Sequence, residues 1–160
     1  MRLIMLVLIG VFATSLNAKD LLPTSTENPV LTIKANGQTY ELDADDLRTL
    51  PSKSFTTTTI WTDGPQAFLG IPTDELLKLL GATDGVLRLT AANGYVIDVP
   101  IEHYGQTTSI IAYERNGNPM TLRDKGPLWL VYPFDSDPAY KSEIIYANSI
   151  WQLERIEVKD

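Results

Sequence analysis

Cysteine is absent from this 160-residue chain, and histidine occurs once. Without thiols there is no cysteine nucleophile, no Cys-ligated zinc, no iron–sulfur cluster and no disulfide. Small exported domains often depend on disulfides; here the apolar core must suffice. The single imidazole, His103, can act as general base, proton donor or lone ligand, or serve a structural role, but it cannot build a His-rich metal site. No G-x-S-x-G elbow, P-loop or G-x-G-x-x-G fingerprint is present. Positive charge is also scarce: 13 Lys and Arg face 20 Asp and Glu, for a net charge of −7. The cations are scattered without a basic stripe, which excludes nucleic acid as a partner. An acidic surface can steer a basic partner or a cationic ligand, or it can simply keep the protein in solution.

Long apolar runs are missing too, except at the start. "MRLIMLVLIGVFATSLNA" carries one charge at Arg2, then an apolar run from Leu3 to Ala13 and a small polar patch. That is the build of a secretory signal, shorter than the roughly 20 apolar residues of a comfortable membrane span. Cleavage after Ala18 is expected, with Ser15 as an alternative and a retained anchor as the competing reading. The expected location is therefore periplasmic or secreted, with no membrane span once the signal is removed. Residues 19–29, "KDLLPTSTENP", read as a flexible tether rich in Pro, Ser and Thr. Residues 30–160, in a chain that is 44% hydrophobic, are long enough for one domain with one core.

Within that domain the pattern predicts an α+β fold of about eight short strands and two helices, with mixed, largely antiparallel sheets. "VLTIKANGQTYELD" reads as a hairpin turning at Asn36–Gly37. Asp43 is placed to cap a short helix ending before Pro51. "SFTTTTIW" reads as a strand and "TDGPQAF" as a turn. "GIPTDELLKLLG" predicts a helix capped by Thr73 and ended by Gly81. "GVLRLTA" and "YVIDVP" form a second hairpin around "ANG". "TSIIAYERNG" and the apolar "GPLWLVYPF" are further strands, the latter buried on both faces. "DSDPAY" belongs to a polar loop that does not match the EF-hand ligand order. "SIWQLERIEV" closes the chain; its apolar residues break strict alternation, so a bulge or kink is expected near Glu154.

Few side chains suggest chemistry. The carboxylates Asp43, Asp45 and Asp46, and again Asp74 and Glu75, look like helix-start residues. Trp61 and Phe68 flank a turn, where they can line a pocket or a protein contact; Tyr104, beside His103, is a similar candidate. Arg115 and Arg123 bracket "NGNPMTL", with Lys125 just beyond. Three cations on one loop can clamp an anion, Arg being favoured for its planar fork, or can simply be solvated.

The order of these segments resembles the molybdopterin-binding domain of the sulfite-oxidase-like oxidoreductases. The resemblance rests on "FLGIPTDELLKLLGA", on "VLRLTAANGYVIDVP" with Asn93, Gly94 and Tyr95 in the hairpin, on "IIAYERNGNPMTLRDKGPLWLVYPFD", and on the closing "SIWQLERIEV" with Trp151. It covers roughly Val30 to Val158 and implies that family's α+β fold, with a pterin-cofactor pocket near Thr57, Thr59 and Trp61.

The chain departs from the family where the chemistry lies. The family's molybdenum-binding cysteine comes from the strand that here reads "FTTTTIW". Threonine offers a hard alcohol that stays protonated at neutral pH, not a soft thiolate. The family's arginine in "P-L-R-L-V" is Trp129 here, and the basic and histidine residues that grip the pterin phosphate have no evident counterparts. A twin-arginine signal, common in exported molybdenum enzymes, is reduced to Arg2. The resemblance therefore implies an exported, non-catalytic relative that binds a small ligand, or a periplasmic or membrane receptor protein, as an accessory or sensing subunit. No cofactor is expected. The alternative is a molybdopterin-dependent oxidoreductase that holds its cofactor without a cysteine ligand. The ligand-binding set is expected to be Thr57, Thr59, Trp61, Phe68, His103, Tyr104, Arg115, Arg123 and Trp129, with no catalytic residue.

Overall fold

A computed structural model describes residues 22–159. The expected signal, residues 1–18, lies outside the described residues. Among the described residues the fold is α+β, with two largely antiparallel sheets and four short α-helices.

The first sheet has the order β2–β1–β10–β5–β6. Strands β1 (Leu31–Ala35) and β2 (Gln38–Leu42) form the expected hairpin, with Asn36 and Gly37 at φ 52° and 73°. Two positive φ values in succession suit the right-handed twist of the strands. Strands β5 (Val86–Ala91) and β6 (Val96–Pro100) form the second hairpin. The last strand, β10 (Leu153–Lys159), lies between them, parallel to β1 and antiparallel to β5. Its register shifts between Leu153 and Arg155, the irregularity expected near Glu154.

The second sheet runs β3 (Lys53–Thr57), β4 (Gln66–Pro72), β7 (Ile110–Arg115) and β8 (Asn118–Pro119), with β9 (Trp129–Val131) also paired to β7. One apolar cluster draws on both sheets, joining Leu31 and Ile33 to Phe68, Ile71 and Ile110. Burial of such side chains is the dominant favourable term in folding. Strand β9 is buried throughout, as its apolar sequence implies.

Helix α1 (Ala44–Thr49) starts as expected: the Asp43 carboxylate accepts from the amides of Asp45 and Asp46, and Asp46 accepts from the Asp43 amide. Helix α2 (Thr73–Leu80) ends at Gly81, which is left-handed at φ 67°. Its expected cap is different. Pro72 is the N-cap residue, and the buried Thr73 hydroxyl accepts from Ser109 Oγ at 2.9 Å. Residues 66–72, read in part as a turn, form a strand that leads straight into the helix. Gly70 permits this strand to approach β7: a Cβ there would collide with the backbone of Ile111 and Ala112.

Three further expectations change. Strand β3 stops at Thr57, so Thr58 to Trp61 leave the sheet. "IEHYGQ", which carries His103, forms helix α3 (Ile101–Gln106). The polar stretch after Asp137 contains helix α4 (Glu143–Asn148), started by the Ser142 hydroxyl accepting from Ile145 N. Part of the expected tether also lies against the domain. Leu22 is buried in the core, Pro23 O accepts from Glu41 N at 3.2 Å, and Thr26 Oγ1 donates to Asp43 Oδ2 at 2.8 Å. The contacts of one leucine and two hydrogen bonds offset the ordering that composition alone disfavours. Among the described residues, no helix is long and apolar enough to cross a membrane.

Candidate functional site

The four threonines Thr56–Thr59 lead into the loop that presents Trp61, and three of their hydroxyls build that loop. The Thr57 hydroxyl, buried, accepts from the Asp135 amide at 3.1 Å and donates to Thr58 O at 3.2 Å. Thr58 donates to the Asp135 carboxylate twice, from its amide at 2.6 Å and from its hydroxyl at 2.7 Å. These bonds, with Lys141 Nζ at 2.9 Å, hold the Asp135 carboxyl well below the usual carboxylate range. The Thr59 hydroxyl accepts from Trp61 N at 3.1 Å and pairs with Thr62 Oγ1 at 2.8 Å. Charge-assisted bonds to Asp135 thus end β3 and aim the indole of Trp61.

Trp61 is half-buried and meets four aromatic rings at steep angles: Trp151 at 5.5 Å, Tyr146 at 5.7 Å, Trp129 at 5.8 Å and Phe134 at 6.1 Å. Such edge-to-face contacts satisfy the quadrupoles of the rings. Behind it, Trp129 is 0% exposed, packs on Phe68 at 5.4 Å and donates from Nε1 to Ser149 O at 3.2 Å. Trp129 and Phe68, expected as ligand contacts, are therefore core residues that support Trp61. Their place in β9 and β4, beneath the loop, puts their rings inside the packing.

Two cavities share Trp61 as a wall. One, of about 350 Å³, is lined by Trp61, Tyr95, Tyr146 and Trp151, with Ala91, Asn93, Ala147, Ser149 and Ile150 completing it. The other, of about 440 Å³, is polar and lined by Trp61, Thr62, Asp63, Gln66, Arg115, Arg123, Asp124 and Lys125. Arg115 pairs with Asp124 at 3.6 Å. Lys125 Nζ lies 4.4 Å from the ring centroid of Trp151 and 5.8 Å from that of Trp129. Expected site residues Trp61, Arg115 and Arg123 thus meet at one cleft.

His103 and Tyr104 line neither of these cavities. His103 Nε2 lies 3.1 Å from Tyr132 Oη, and partial burial lowers its pKa, favouring the neutral ring. Tyr104 is fully buried. Its hydroxyl makes no hydrogen bond of acceptable geometry, although the adjacent Tyr132 adds to burial in raising its pKa. Two residues on one short helix, one turned into the core, do not make the expected binding face.

Tyr146 and Trp151 are cleft residues that sequence reasoning missed, and Tyr95 and Lys125 carried only weak signals. Tyr146 sits in a helix read as a loop. Trp151 stood out only as the start of the closing strand; it forms a bridge with Trp129.

The expected alternative, a pterin cofactor with its metal, can be tested against the side chains at this place. The hydroxyls of Thr57, Thr58 and Thr59 are engaged within the loop, and Trp129 is buried against Phe68. Among the described residues, no three His, Cys, Asp or Glu side chains converge as metal ligands. The threonine hydroxyls here offer no soft ligand for molybdenum; the expected alternative, a pterin held without a cysteine ligand, does not call for one. No protein-family model and no curated protein matches the sequence.

Proposed function

We propose that this chain is an exported, non-catalytic domain built on the sulfite-oxidase-like molybdopterin-binding fold, and that it binds a small ligand in the cleft divided by Trp61. One observation carries this reading: a single half-buried indole walls both an aromatic cavity without charged side chains and a polar cavity holding Arg115, Arg123 and Lys125. A concave, mostly apolar site with a few convergent polar groups is the usual form of a ligand pocket. His103 lines neither lobe, and the Ser149 hydroxyl, which lines the aromatic one, donates to Ile145 O at 2.7 Å. A periplasmic or membrane receptor would read the loaded state, which makes the domain an accessory or sensing subunit.

The test is a fragment screen by heteronuclear NMR, using neutral, cationic and anionic compounds. Hits should shift the indole N–H resonances of Trp61 and Trp151 and lose affinity in Trp61→Phe. A screen with no hit at the cleft, or hits indifferent to that substitution, refutes the reading. Stoichiometric molybdenum with pterin fluorescence in the natively exported protein would replace it with the oxidoreductase alternative.

A further inference from the structure

We propose that the aromatic lobe of the Trp61 cleft receives a quaternary ammonium group; this rests on the ligand-binding reading above. Four aromatic residues, Trp61, Tyr95, Tyr146 and Trp151, line this lobe, and no charged side chain does. The planes of Trp61 and Tyr146 cross at 85°, and those of Trp61 and Trp151 at 70°. Walls that meet near right angles do not make a slot for a flat ring. A compact, rounded group fits better, and when cationic it is attracted by whichever ring face borders the lobe.

The polar atoms of the lobe narrow the class further. Asn93 Oδ1 accepts from Tyr95 N at 3.0 Å, and the Ser149 hydroxyl is bonded to Ile145 O. The acceptors that remain are chiefly the Tyr95 and Tyr146 hydroxyls, few for a primary ammonium with three N–H donors or for a sugar. A quaternary ammonium has no N–H, spreads its charge over methyl groups and needs none. Of these rings, Trp151 already holds a cation from the polar side: Lys125 Nζ, which lines the other cavity, sits 4.4 Å from its centroid. The net charge of −7 favours a cationic guest at longer range.

Across Trp61, Arg123 makes no salt bridge among the described residues, while Arg115 is paired with Asp124. An anionic group that reaches past Trp61 would find Arg123 there, so zwitterions with a longer arm, such as phosphocholine, are one form of the class.

Calorimetric titration of the full chain with choline, glycine betaine, phosphocholine and the uncharged tert-butyl analogue of choline decides the matter. Choline is expected to bind at least about tenfold more tightly than its neutral analogue, the upper part of the cation–π range. Tyr95, 49% exposed on a hairpin, can be replaced without touching the core; Tyr95→Leu should weaken choline about threefold to fivefold more than it weakens the neutral analogue. Equal binding of choline and its analogue, or no binding of any quaternary compound, overturns the proposal. If other fragments still bind at Trp61, the ligand-binding reading survives that failure; if none does, both fall. Phosphatidylcholine vesicles, compared with phosphatidylglycerol vesicles, separate the sources. Selective capture by the former assigns a lipid head group, binding of free compounds alone a soluble one, and both support the class.

Discussion

Replacing Trp129 with alanine asks whether that indole is core or ligand wall. It is fully buried, touches Phe68 and Trp61, and is hydrogen-bonded through Nε1 to Ser149 O. Truncating a buried tryptophan to alanine costs about 3–5 kcal/mol, from lost transfer energy and the cavity left behind. A domain of this size has roughly 5–15 kcal/mol in total. A loss of about 4 kcal/mol, at a urea slope of about 2 kcal/mol/M, lowers the midpoint by about 2 M. Trp129→Phe keeps most of the ring and should cost about 1–2 kcal/mol, chiefly because the Ser149 carbonyl loses its donor. Urea unfolding followed by far-UV circular dichroism measures both. A loss below about 1 kcal/mol in Trp129→Ala would show that the indole borders accessible space, and the division of labour between Trp129 and Trp61 would be wrong.

Burial depresses the pKa of His103 in the folded chain, so the unfolded chain binds the proton more tightly. The resulting stability is present above the unfolded value of about 6.5 and is lost as pH falls through the folded value. The urea midpoint should therefore drop on going from about pH 7.5 to about pH 5.5, and the drop should be smaller in His103→Gln. An equal drop in the variant would assign the effect to other groups. Asp135 has a lowered pKa too, because the Thr58 amide and hydroxyl and then Lys141 favour its ionised form. Its contribution is present above the ordinary carboxylate range and fades as pH falls through the depressed value. Asp135→Asn should speed hydrogen exchange at the Thr58 amide and leave exchange in β5 and β10 unchanged; no local change would mean that the carboxylate does not hold the Trp61 loop.

Several features were legible from neighbouring residues alone. Asn36–Gly37 specified a turn, Asp43 with Asp46 a helix start, and Gly81 a helix end, each through a local backbone preference or a bond within a few positions. The broken alternation of the last strand marked its bulge. The run of short strand and helix signals likewise indicated an α+β class with largely antiparallel sheets. The site was harder to read. Arg115 and Arg123 could be paired because they are close in sequence, and both do line the polar cavity.

Trp61 stood out in the sequence, but its surroundings did not. Strand β3 ends where it does because Asp135, 77 positions after Thr58, captures that residue's amide and hydroxyl. Phe68 and Trp129 are interior, while Tyr95, Tyr146 and Trp151 face the cavity, although all five are aromatic. Turns, caps and charge balance are short-range or summed properties, so residue order carries them directly. Whether a ring becomes a wall or a filler depends on which distant segments pack around it, and that is settled when β9, α4 and Trp151, just before β10, close over the Trp61 loop.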